Sequence, residues 1–267
     1  MRPSVDQSGK EDLQEIRLRA GQPPELVLSD NSIYLDDIVN TADLDFCINA
    51  ATQYSPWVAS TVSSGYITAQ GGHRIGICGQ LVMIDGKIQS ANYITSLCIR
   101  VARDYPGIAL DAVGLDGSIL IIGSPGRGKT TLLRDMIRQK SNITSETIAV
   151  LDERRELFPV ASGNFIFSPG KHTDILSGCG KSNGLEILIR TMNPRYIAVD
   201  EITAAEDCDA IIQATGCGVS IIATAHAADI NDLVARPVYR PILEAGIFQR
   251  IIVMQQNKSW KVERVNI

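Results

Sequence analysis

One octapeptide constrains the fold of this chain more than any other stretch: Gly123-Ser124-Pro125-Gly126-Arg127-Gly128-Lys129-Thr130. It fits G-x-x-x-x-G-K-[ST], a phosphate-binding loop that belongs between a buried strand and a helix. Both flanks are present. Ser118-Ile119-Leu120-Ile121-Ile122 is a short apolar run of buried-strand type. Beyond the loop, Leu132, Leu133, Met136 and Ile137 recur at helical spacing. Gly123, Gly126 and Gly128 allow a sharp turn that brings backbone N–H groups toward phosphate oxygens. The start of the helix adds its positive dipole end. Lys129 is placed to reach the β- and γ-phosphates, and Thr130 to offer its hydroxyl to Mg²⁺. Thr131 closes the expected nucleotide-binding stretch. A chance match in a glycine-containing loop is the bland alternative, and the flanking pattern counts against it.

Hydrolysis needs more than a phosphate cradle. Tyr196-Ile197-Ala198-Val199 reads as a buried strand that ends in Asp200-Glu201. Ligands of parallel α/β sheets bind at such strand ends. Asp200 is the candidate for holding Mg²⁺, and Glu201 for orienting or deprotonating an attacking water. A strand-end turn or helix cap is the alternative for both. A second strand, 148–151, ends in Asp152-Glu153-Arg154-Arg155-Glu156. Asp152 or Glu153 would reach the metal shell or the water there, the alternative being a solvated charge run. A third strand, 219–223, ends in Thr224-Ala225-His226. Thr224 and His226 stand at the height where a γ-phosphate would be sensed, although a lone histidine is more often structural.

The 267 residues suit one large or two modest domains. Residues 1–105 form a small α+β N-terminal domain in this reading, and 106–267 an α/β domain with a mostly parallel sheet. Pro106-Gly107 marks the hinge. In the N-terminal part, strands are expected at 13–19, 25–28, 65–68, 73–79 and 94–103. Helical patches are expected within 41–62, and a hairpin at 81–88 around Asp85-Gly86. In the C-terminal part, strands are expected at 118–122, 148–152, 196–200 and 219–224. Helices follow at 129–139, 184–192, 205–215 and 229–235, and a terminal hairpin at 250–254 and 261–265. The net charge is −5, with −4 on residues 1–105 and −1 on the rest. Neither part is basic, which argues against an extended nucleic-acid surface. Six cysteines without a C-x-x-C pair give no metal spacing and read as reduced thiols of an intracellular protein. No secretion signal and no apolar run of membrane-spanning length is evident.

The order of these motifs resembles that of the secretion-ATPase superfamily, which includes type II and type IV secretion ATPases and pilus motors. The resemblance runs through the loop at 123–130, Leu188–Pro194, Val199–Ile202, Ala214–Gly216 and Ala223–His226. Within it, Glu15–Arg19, Gly71–Gly79, Ser96–Arg103, Val150–Arg154 and Thr173–Cys179 are similar to a sporulation branch found in endospore-forming bacteria. The resemblance implies a RecA-like P-loop ATPase core that uses ATP and Mg²⁺. It implies Glu201 as the catalytic glutamate, Asp152 and Glu153 as an aspartate box, and His226 as a histidine box. It implies that arginines of the N-terminal domain approach the nucleotide, with Arg74, Arg100 and Arg103 at the matching positions. Many secretion ATPases carry glycine where this chain has Asp200, which brings this site closer to an ordinary P-loop ATPase. The resemblance further implies a ring hexamer, peripheral to the cytoplasmic face of a membrane in the mother cell. There it would energise a channel complex of membrane proteins facing the forespore. Two other readings stay open on the residues alone: a RecA-like nucleic-acid translocase, and a nucleotide-gated scaffold with little hydrolysis.

Overall fold

The computed structural model describes residues 12–28, 30–52, 65–69, 72–84, 87–161 and 163–263. The chain divides into two compact units, Met1–Arg103 and Asp104–Ile267.

The first unit is a six-stranded antiparallel sheet with a helix on one face. Its strands are β1 (Glu15–Arg19), β2 (Glu25–Val27), β3 (Ser32–Tyr34), β4 (Tyr66–Thr68), β5 (Arg74–Ile84) and β6 (Lys87–Arg100), in the order β3-β2-β1-β6-β5-β4. Alternation decides which face is buried. Ile16 opposes Ile99, and Leu18 opposes Leu97. Ile75 and Ile77 continue this row across β5. Leu18, Leu97, Ile99, Ile75 and Ile77 pack with Leu44 and Ile48 of helix α1 (Thr41–Thr52). The other face is polar. Arg17 and Arg100 pair with Glu15, and Arg19 pairs with Glu25. The separate strands and the 81–88 hairpin expected from the sequence are one long β5–β6 hairpin instead. Register shifts on both sides of Gly79 let it pass without a break. A Cβ on Gly79 would lie 2.6 Å from the Tyr93 carbonyl oxygen, so the two strands meet there backbone to backbone. The expected turn residues 85–86, and the part of the expected helix beyond 52, lie outside the described residues.

The second unit is built on a seven-stranded sheet. Its strands are β7 (Ile119–Ile122), β8 (Ile148–Asp152), β11 (Thr173–Ser177), β12 (Tyr196–Ile202), β13 (Ser220–Ala225), β14 (Arg250–Met254) and β15 (Trp260–Glu263). They lie in the order β11-β8-β12-β13-β7-β14-β15. All neighbours are parallel except the closing β14–β15 pair. The strands read as continuous apolar runs because both faces are covered. Leu120, Ile122, Leu151, Ile197 and Val199 pack under helices α3 (Lys181–Met192), α4 (Ala205–Gly216) and α6 (Arg240–Glu244). Helix α5 (Ile230–Ala235) adds Leu233 to the same layer. The alternate residues Ile119, Ile121, Ile148, Val150 and Ile222 are equally buried. Helix α2 (Lys129–Ile143) lies against that side through Leu132, Leu133, Met136 and Ile137.

Two features depart from the sequence-based expectation. β11 is a half-buried edge strand, TDILS, with no apolar run to announce it. A short hairpin, β9 (Val160–Ala161) and β10 (Asn164–Phe165), stands where the sequence reading places no element. The expected hinge at Pro106-Gly107 belongs to the second unit. The N–H groups of Gly107 and Ala109 both donate to Asp135 Oδ2 of α2 at 2.9 Å. Among the described residues no helix is long and apolar enough to cross a membrane.

Helix α3 begins three residues earlier than its periodicity suggests and carries Gly184 in its second turn. A Cβ there would come within 2.4 Å of Leu151 Cδ1 and 3.0 Å of Cys179 Sγ. Leu151 is buried in the sheet core and has little room to yield. Gly184→Val is therefore expected to lower unfolding free energy by about 1–3 kcal/mol, read from urea or thermal denaturation. An unchanged midpoint would contradict this close packing.

Candidate nucleotide-binding and hydrolytic site

Parallel pairing brings the C-terminal ends of β7, β8, β12 and β13 to one edge of the sheet. The glycine loop leaves β7 there. Gly126 and Gly128 adopt φ of 75° and 92°, left-handed values open to glycine at little cost. Gly128 caps α2 in this conformation. A Cβ on Gly123 would lie 2.8 Å from Met254 Cβ of β14, so the first glycine is fixed by close packing. Pro125 and Gly126 form the exposed crest of the loop, with Ser124 and Arg127 half-buried on either side.

Lys129 is buried at the foot of the loop. Its Nζ donates to the carbonyl oxygens of Gly123 at 2.7 Å and Ser124 at 3.1 Å. Burial pushes its ammonium below the usual lysine range, while Asp200 and Glu201 act in the opposite direction. The Thr130 hydroxyl donates to Asp200 Oδ2 at 3.0 Å. Thr131 is half-buried one residue further along the helix.

β12 supplies the two carboxylates through an irregularity. Its register against β13 shifts between Val199 and Ile202, the signature of a bulge. Glu201 takes φ of 55°, a left-handed value that costs a non-glycine residue of order 1–3 kcal/mol. Thr224 of β13 holds this geometry. Its buried hydroxyl donates to Asp200 Oδ1 at 2.6 Å and accepts from the Glu201 N–H at 2.8 Å. Burial pushes the Asp200 carboxyl above its ordinary range, and hydrogen bonds from Thr224 and Thr130 work against that.

His226 joins the two halves of the site. Its Nδ1 lies 3.0 Å from Lys129 Nζ, and its Nε2 lies 3.0 Å from Glu201 Oε1. The Tyr239 hydroxyl accepts from the His226 N–H and donates to the Ile202 carbonyl, fixing the loop after β13 to the end of β12. The second oxygen of Glu201, Oε2, accepts from Arg154 Nη1 at 2.6 Å.

The acidic pair after β8 is used differently from the pair after β12. Asp152 is buried and spends both oxygens on its own loop. Oδ1 accepts from the N–H of Glu156, and Oδ2 accepts from those of Leu157 and Phe158. Its carboxylate thereby anchors the 153–158 backbone. Glu153 Oε2 meets the buried Lys181 Nζ at 2.7 Å, and the same ammonium lies 3.4 Å from Asp207 Oδ2. Glu153 thus ties this loop to the starts of α3 and α4.

Arg74 and Arg100 belong to the first unit, where they face one another across β5 and β6. The Arg74 guanidinium lies over the Tyr66 ring, and Arg100 pairs with Glu15. Arg103 donates to the Leu13 carbonyl. Arg154 and Tyr239 were not singled out from the sequence. Arg154 stood within a charge run, and Tyr239 in a short helical turn (Pro237–Tyr239) without a motif.

The arrangement offers a phosphate loop with an inward-facing ammonium, a hydroxyl–carboxylate pair and an oriented glutamate. These are the parts needed to bind a nucleoside triphosphate and direct water at its terminal phosphate.

Comparisons with known proteins agree with this architecture. The model of the family described as sporulation stage III, protein AA, matches residues 4–265. Stage III sporulation protein AA of Bacillus subtilis (strain 168) is 34% identical over 258 residues, covering 93% of this chain and 84% of that protein. The Legionella pneumophila ATPase DotB matches with a TM-score of 0.62 at 16% identity, over 96% of this chain and 78% of that one. The pilus retraction motor PilT, solved with bound ADP, matches with a TM-score of 0.63 at 15% identity, over 97% and 82%. At these identities the two structures show the fold alone, the RecA-like α/β fold of secretion and pilus ATPases expected from the sequence. The family match spans nearly every residue, and the chain belongs to the sporulation stage III protein AA family.

Proposed function

We propose that the chain is an ATP-hydrolysing motor of the secretion-ATPase type. One observation carries this reading: the contiguous contacts from Lys129 through His226 to Glu201, beside the Thr130–Asp200 pair. A phosphate loop used only for binding has no need of a glutamate held in a left-handed conformation.

The residues divide the work as follows. Backbone N–H groups of 124 and 126–130 cradle the phosphates at the start of α2. Lys129 exchanges its carbonyl partners for phosphate oxygens. Thr130 and Asp200 set two hard oxygens side by side and would hold a Mg²⁺ ion. When bound, such an ion would neutralise charge on the phosphate oxygens. Glu201 orients the attacking water and accepts its proton. His226 touches both Lys129 and Glu201 and so couples occupancy of the loop to the position of the base. Thr224 keeps Asp200 and Glu201 in register. Arg74, Arg100 and Arg103 are proposed to reach nucleotide across a subunit boundary in a ring hexamer. In the cell, the motor would be a peripheral cytoplasmic protein of the mother cell. It would work with membrane proteins of a channel complex facing the forespore, with residues 1–105 and 106–267 as its moving parts.

Steady-state ATPase assays on the purified chain test the site. Lys129→Ala is expected to abolish measurable turnover and weaken ATP binding. Glu201→Gln should retain ATP binding and lose about 10²–10⁴-fold in kcat. Full turnover in either variant would overturn the assignment. Thr224→Val removes one donor and one acceptor while keeping the volume. It should lower kcat about tenfold or more, with KM little changed, because it disturbs the base and leaves the cradle intact. An equal rise in KM with unchanged kcat would place Thr224 in binding instead.

A further inference from the structure

Arg154 stands out because it grips the one carboxylate that hydrolysis needs free. Its Nη1 lies 2.6 Å from Glu201 Oε2, while His226 occupies Oε1. Each oxygen of Glu201 therefore already has a partner, one of them a cation. Something must draw the guanidinium away before the base can act.

The geometry says what that is. Lys129, His226, Glu201 and Arg154 form one chain of contacts of 3.0, 3.0 and 2.6 Å. Its first member meets the β- and γ-phosphates. Its third addresses water on the far side of the γ-phosphate. The guanidinium is bonded to that third member, so it sits beside the position of the terminal phosphate. The α- and β-phosphates rest on the loop backbone at the other end of the chain.

The mounting of Arg154 suits a side chain that changes partner. Its backbone is fixed: the Asp152 carboxylate holds the N–H groups of 156–158, and Arg155 beside it adopts φ of 58°. The side chain itself is 54% exposed. An ion pair in such a setting is a weak hold. A terminal phosphate carries more charge than a carboxylate and presents several oxygens to the planar fork.

Granted the nucleotide-hydrolysing function proposed above, we infer that Arg154 is a terminal-phosphate ligand supplied by the same chain. It leaves Glu201 when a triphosphate is bound and stays on Glu201 when a diphosphate is bound. Arg154 is then both the element that discriminates ATP from ADP and the latch that frees the base only for a hydrolysable ligand. No bond is made or broken in the exchange; one ionic partner replaces another.

Affinities of the full-length protein for ADP and for the non-hydrolysable triphosphate AMP-PNP, measured with Mg²⁺ by titration calorimetry, test this. Arg154→Ala is expected to weaken AMP-PNP about tenfold or more and to leave ADP within about twofold. Arg154→Lys should fall between, since an ammonium lacks the fork. Glu201→Gln removes the competing charge and should tighten AMP-PNP while leaving ADP alone; Arg154→Ala in the Glu201→Gln background should abolish that gain, a loss that relief of charge repulsion at Glu201 alone does not produce. Equal weakening of both nucleotides by Arg154→Ala, or no change in either, would overturn the inference. A wild-type chain that binds neither nucleotide, or one whose binding survives Lys129→Ala, would instead remove the nucleotide site itself.

Discussion

The hydroxyl of Thr224 is the point on which the candidate site turns. Parallel pairing delivers the loops after β7, β8, β12 and β13 to one edge, but that alone leaves their side chains unaligned. Thr224 binds Asp200 through one hydrogen bond and the Glu201 backbone through another. It thereby holds open the register shift between β12 and β13. Asp200 is then directed at Thr130 and Glu201 at His226. A strand of regular register would send successive side chains to opposite faces and separate the two carboxylates.

A second layer of polar contacts braces this edge from below. Asp135 ties α2 to Gly107 and Ala109. Buried Lys140 reaches the Val113 carbonyl and lies over the Tyr196 ring at the start of β12. Arg134 donates to the carbonyls of Leu157 and Glu156, and its guanidinium lies over Phe167. Charged residues on α2 are buried because each finds partners on neighbouring loops, as buried charge requires. The helix that carries Lys129 is in this way fastened along its length as well as at its cap.

How much of this was legible in the sequence depends on the range of the interactions. β7, the glycine loop and α2 were legible because their signals are local: an apolar run, three glycines and a helical period. The acidic end of β12 was legible for the same reason, although its bulge was not. That bulge depends on a hydroxyl 24 residues away from Asp200. The edge strand β11 and the β9–β10 hairpin escaped because edge positions need no apolar pattern. The long β5–β6 hairpin reads as several pieces because Gly79 looks like the end of a strand, whereas it serves a close backbone approach. Asp152 and Asp200 look alike as strand-end carboxylates. Only the path of residues 156–158 shows that Asp152 turns inward to its own loop. The Arg154–Glu201 contact spans 47 residues and carries no motif.

The left-handed backbone of Glu201 has a consequence for how this family can drift. Glycine would adopt φ of 55° without steric penalty, whereas glutamate carries that penalty in every folded molecule. Selection for stability alone would therefore erode this position toward glycine. A copy of the gene released from its present duty should show that erosion here before it shows at the buried residues of β7 or β8.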